Sequence, residues 1–136
     1  MALVRTQIKK TLDKVINTVT TETLWTFVIP DLYVLEFDIK VVAHNDDTSS
    51  WGGYTRFMGV AGRVDGSVPP VAQVSYFEPG GGGTGPIKVG ATSFVPTLVW
   101  DAGLPGIRLS LYNSHATKKL IAVSMIEAML RNNDGL

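Results

Sequence analysis

The chain has 136 residues, 45% of them hydrophobic, with 12 basic side chains against 12 acidic ones. That length fits one domain able to bury roughly two-thirds of its unfolded surface. Charge neutrality argues against the basic field with which nucleic-acid binders gather phosphate. The absence of cysteine excludes disulfides, thiolate zinc sites and a cysteine nucleophile together. No apolar run approaches the ~20 residues of a membrane helix, and Met1-Ala2-Leu3-Val4-Arg5 opens no uninterrupted hydrophobic stretch of the secretory kind. Neither nucleic acid nor a membrane is an expected partner.

Residues 1–19 read as an N-terminal arm. Within it Leu3/Val4, Ile8, Leu12, Val15/Ile16 and Val19 recur every three or four positions, the spacing of an amphipathic helix over 5–16. Thr11, Thr18, Thr20, Thr21 and Thr23 are β-branched and lower helix propensity towards the end, so the chain is expected to turn extended by about Val19. The arm either covers the sheet or docks on a partner.

From Thr23 the signals are those of strands. Trp25, Phe27 and Ile29 alternate with Leu24, Thr26 and Val28, and Pro30-Asp31 supplies turn chemistry. The segment 32–43 is the clearest in the chain. Tyr33, Leu35, Phe37, Ile39, Val41 and Ala43 occupy every second position, with Glu36, Asp38 and Lys40 between them. Successive strand side chains point to opposite faces, so this strand has one dry and one wetter side. A polar loop, 44–50, leads to the strand 54–64, where Gly52, Gly53, Gly59 and Gly62 mark bulges or close backbone approach. Asp65-Gly66 carries a hairpin signal. Further strands are read at 71–78, 86–90, 92–100, 106–113 and 118–129, with Asp101 and Gly103 supplying a turn. The last segment has both helical and strand spacings; a strand is favoured because Asn113-Ser114-His115 suits a hairpin. Short strands at turn-delimited intervals predict an all-β protein, an antiparallel β-sandwich or jelly roll over 20–136 preceded by the arm.

No catalytic signature stands out. Gly80, Gly82 and Gly85 match the G-x-G-x-x-G pattern, but Pro86-Ile87-Lys88-Val89-Gly90 follows where a phosphate-binding helix would have to open. A loop tip is the simpler reading. His44 and His115 are the only histidines. His44 stands near Asp46 and Asp47, which is compatible with a metal or general-base role and equally with a solvated loop. There is no G-x-S-x-G elbow to hold out a serine. Glu36 and Asp38 read as a solubilising face rather than a glycosidase pair. Trp51 and Tyr54 flank Gly-Gly, an arrangement suited to stacking on sugar or to edge packing.

In chain order come Thr20-Thr21-Glu22-Thr23, Leu24-Trp25-Thr26-Phe27, Pro30-Asp31 and Ile39-Lys40-Val41-Val42-Ala43. They are followed by Gly53-Tyr54-Thr55-Arg56, the Gly80–Gly85 loop and Val99-Trp100-Asp101. Over roughly 18–130 this series resembles the small β-sandwich modules of tailed-bacteriophage virion proteins. Two features depart from that pattern: the glycine-rich loop, and Met125, Glu127 and Met129 in the last strand. The resemblance implies a non-enzymatic virion component without cofactor, metal or catalytic residues. A capsid decoration or cement protein is expected, assembling as a homo-oligomer, a trimer by family habit, and contacting other virion proteins such as the major capsid protein. One alternative is a tail-fibre or appendage tip that binds host-surface glycan through loops 44–53 and 79–86. Trp51 and Tyr54 would then stack on sugar rings while Asp46 and Asp47 accept hydrogen bonds. A second alternative is a hydrolase using His44 or His115.

Overall fold

The computed structural model describes residues 5–45, 52–63, 72–75, 87–89 and 94–132. Nine strands run through them: β1 (Arg5–Ile16), β2 (Thr20–Val28), β3 (Tyr33–Asn45), β4 (Gly52–Arg63), β5 (Ala72–Ser75), β6 (Ile87–Val89), β7 (Phe94–Asp101), β8 (Gly106–Asn113) and β9 (Leu120–Asn132). They form two sheets. The larger has six strands in the order β1-β9-β3-β4-β5, with β6 also paired to β4; the smaller has the order β2-β8-β7. Every pairing is antiparallel. The protein is all-β, as its period-two segments require.

The long strand read at 32–43 is the centre of the larger sheet. Leu35, Phe37, Ile39, Val41 and Ala43 are all buried. They meet Phe57 and Ala61 of β4 and Leu120, Ala122, Ile126 and Ala128 of β9 in one hydrophobic cluster. The smaller sheet closes over that cluster with Trp25, Phe94, Leu98, Ile107, Leu109 and Leu111. Each fully buried Leu, Ile or Phe removes apolar surface worth about 1.5–3 kcal/mol from water. Gly53 lets the layers meet closely, since a Cβ there would run into the Phe94 ring. The β3–β4 register is unbroken from Val34 opposite Gly62 to His44 opposite Gly52. Gly52, Gly53 and Gly62 of β4 therefore mark close approach, not a bulge. A bulge lies instead in β2, where the register shifts between Thr23 and Trp25 and leaves Leu24 as the extra residue.

Two expectations are corrected. Residues 5–16 are not a helix: β1 pairs with β9 along its full length, from Arg5 opposite Arg131 to Ile16 opposite Leu120. Ile8, Leu12 and Ile16 are four apart, which is close to one helical turn and also two strand repeats, so spacing alone does not separate the two. The preformed β9 edge decides. Second, Asn113-Ser114-His115 does not open a hairpin, because β8 and β9 lie in different sheets. The chain crosses from one layer to the other there. The β9 segment itself is a strand, as favoured.

Polar anchors hold the places where the chain changes sheet. The Asn113 side-chain amide lies 2.8 Å from the Lys118 carbonyl, 3.2 Å from that of Asn17 and 3.4 Å from that of Ile16. Its oxygen accepts the His115 N–H at 3.0 Å. At the opposite end Pro30 and Tyr33 close a turn by a 3.1 Å backbone hydrogen bond, as Pro30-Asp31 foretells. Arg63 donates to the Ile29 carbonyl at 3.2 Å. Val19 and Leu32 occupy the left-handed region at these corners, with φ of 50° and 62°. Such backbone is costly for a β-branched or γ-branched residue.

Candidate interaction surface

The face of the larger sheet turned away from the core is a broad exposed surface built by four paired strands. Alternation on β3 puts Glu36, Asp38, Lys40, Val42 and His44 there. The register then places Met129, Glu127, Met125, Val123 and Ile121 of β9 opposite them. On the other side of β3 stand Val60, Met58, Arg56 and Tyr54 of β4. On β1 the same face carries Lys9, Thr11, Asp13 and Val15. Every methionine of the chain except Met1 is on this face. Val15, Val42, Met58, Val60 and Met125 are exposed on it.

Two ion pairs cross-link strands within the surface. Arg56 grips Asp38 with both arms of its guanidinium, Nε to Oδ1 at 2.9 Å and Nη2 to Oδ2 at 2.7 Å. Those hydrogen bonds hold the Asp38 carboxyl below the ordinary carboxylate range, against a smaller opposing effect of burial. Arg131 reaches Glu36 at 2.7 Å. Bidentate pairing fixes side chains that would otherwise sweep the surface. The result is a patch with soft thioethers, small aliphatic groups and locally balanced charge. Three shallow depressions run along it, lined by Gln7, Glu36, Asp38, Glu127 and Met129, by Lys40 and Met125, and by Arg5 and Arg131.

Of the residues singled out in the sequence for glycan or partner contact, Tyr54 lies near the start of β4 on this face, opposite Val42 and Ile87. Trp51, Asp46 and Asp47 lie outside the described residues, as do the Gly80–Gly85 loop and Asp65-Gly66. Each histidine is engaged by nearby backbone. His44 Nδ1 lies 2.8 Å from the Asn45 carbonyl oxygen, which can only accept. His115 Nδ1 accepts the N–H groups of Thr117 and Lys118, each at 3.1 Å. No group of three metal-ligating side chains occurs among the described residues, and no described helix is long and apolar enough to cross a membrane.

The chain matches no protein-family model, no curated protein and no solved structure. What it offers is therefore its own surface. Sequence reasoning took Glu36 and Asp38 for a wet face and missed their arginine partners, which come from strands 18 and 95 residues away in the chain. The signal present but unused was Met125-Ile126-Glu127-Ala128-Met129. Its alternation puts methionine on the side opposite to buried Ile126 and Ala128.

Proposed function

We propose that the protein is a structural component of a bacteriophage virion, acting by protein–protein contact through the outer face of the larger sheet rather than by chemistry. The observation that carries this reading is the gathering of Met58, Met125 and Met129 with exposed Val15, Val42 and Val60 on one face. Methionine is flexible and polarisable and adapts to a partner's contours. Exposed apolar side chains grouped on one face suit an interaction site. A capsid decoration or cement role fits a self-contained sandwich that bridges neighbouring subunits, the major capsid protein being the expected partner. Apolar burial at about 25 cal/mol per Å² drives such bridging, before the costs of association.

The test is co-sedimentation with particles lacking this protein. Wild type is expected to bind, whereas Met58→Glu combined with Met125→Glu is expected to lose binding while melting as before. Equal binding by both proteins, or none by either, would end the reading.

A second reading is an appendage tip that takes up glycan, favoured by the placement of Tyr54 on the same face near the start of β4. A glycan array separates the two. Retention of a sugar that Tyr54→Ala abolishes supports the tip, and silence across the array removes it.

A further inference from the structure

The larger sheet ends on one side in β1, whose inner flank is fully paired to β9 and whose outer flank has no strand beside it among the described residues. At 12 residues it presents an unpaired edge about 40 Å long. Eleven of its residues are exposed or only partly covered, while Ile8, Leu12 and Ile16 anchor it to the core. The edge is thus ordered in advance of any partner. Unpaired edges of this length are templates for strand addition, and folded proteins normally blunt them.

Here the blunting is selective. Lys10 and Lys14 point to the core side of the sheet and are exposed at its edge, where Lys14 meets Glu22 of β2 in the smaller layer at 3.7 Å. Lys9 and Asp13 point to the outer side, and neither has an ion pair among the described residues. Two copies joined by a two-fold axis normal to the sheet keep their core faces on one side, so each residue meets one of its own parity. With the axis at Lys10, two lysines face each other. At Leu12, Lys10 faces Lys14 twice; at Lys9 or Asp13, that residue faces itself. With the axis at Thr11 no like charges meet. Lys9 then faces Asp13 of the second copy, and Asp13 faces its Lys9. Lys10 and Lys14 lay their aliphatic stems along Leu12 and Ile8.

We propose that β1 pairs antiparallel with β1 of a second copy about a two-fold axis at Thr11, joining two larger sheets into one continuous sheet. The four lysine and aspartate side chains at that seam set the register, and the edge hydrogen bonds supply the attraction. A two-fold pair differs in symmetry from the trimer that the resemblance implies, so mass alone distinguishes them. The pairing is a separate claim from the proposed virion role: Lys9, Thr11 and Asp13 border the same outer face, whereas Met58, Met125 and Met129 stand on β4 and β9 and are unchanged in the seam variants.

The chain has no cysteine, so one introduced thiol reports its own surroundings. Facing residues of antiparallel strands have Cα atoms about 4.5–5.5 Å apart, within disulfide reach. Thr11→Cys is expected to give a covalent dimer on mild oxidation, while Gln7→Cys and Val15→Cys form no covalent cross-link. In sedimentation, Lys9→Asp and Asp13→Lys are each expected to raise the dimer dissociation constant about tenfold. Mixing those two variants is expected to restore a heterodimer, because every facing pair is again of opposite sign. A wild-type monomer or trimer at all concentrations, cross-linking that does not peak at position 11, or no recovery on mixing would overturn the proposal.

Discussion

The two sheets share one core but present opposite kinds of outer surface. On the larger sheet the exposed apolar groups include methionines set among arginine–carboxylate pairs. On the smaller sheet they are Val28, Val95 and Val99 beside exposed Thr21, Thr23, Thr26 and Thr97. Valine and threonine are stiff at χ1 and suit a pleated surface by themselves. A single ionic cluster holds that side, with Arg108 bonded to Asp101 and, at 3.1 Å, to the Thr23 hydroxyl. The smaller sheet behaves as a lid whose exterior is finished by strand propensity. The larger sheet carries side chains that strand formation does not ask for. The difference separates the face on which the proposed function rests from the face that strand formation alone accounts for.

The sharpest way to break this comparison is through the core that both sheets use. Phe57→Ala opens a void under the larger sheet and Leu109→Ala one under the smaller. Losses of about 3–5 and 2–5 kcal/mol are expected, each in a single transition by calorimetry. Two separated transitions would show that the layers do not fold as one unit.

A smaller effect is expected where the chain passes between them. Val19 is exposed and holds φ at 50°. Val19→Asn, which tolerates that backbone, is expected to raise stability by about 0.5–1 kcal/mol in urea denaturation. A loss there would mean that the valine side chain contributes more than its strain costs.

The smallest effect compares one ion pair on each sheet. Arg56 lowers the proton affinity of Asp38, and Arg108 with the Gly103 N–H lowers that of Asp101. A carboxyl that holds its proton less tightly in the folded state makes acid favour unfolding. The stability from these pairs is therefore complete above the ordinary carboxylate range near pH 4 and fades as pH falls through and below it. Asp38→Asn and Asp101→Asn are each expected to flatten part of the acid limb of a melting-temperature profile. Partial exposure keeps both effects modest. An unchanged acid limb in both variants would show that the pairs hold side chains in place without stabilising the fold.

Much of this architecture could be read directly. Alternation in 33–43 marks the central strand, because a buried face repeats every second residue whatever surrounds it. Asp101 and Gly103 mark their turn because an aspartate oxygen accepts an N–H two residues on, here at 2.9 Å. The site was less legible. Asp38 meets Arg56, and Lys9 comes to an edge strand opposite Glu127, only after strand order and register have been set.

Residue chemistry along the chain determined that β2, β3, β4, β7 and β8 would be strands, which side of β3 would be dry, and that Pro30-Asp31 and Asp101 to Gly103 would turn, since those properties are local. Tertiary structure alone decided that residues 5–16 would be the outermost strand and that 113–119 would cross between layers. It also brought three methionines to one surface. Each of these depends on which distant strand offers its edge, and backbone hydrogen bonds between strands carry no record of sequence separation.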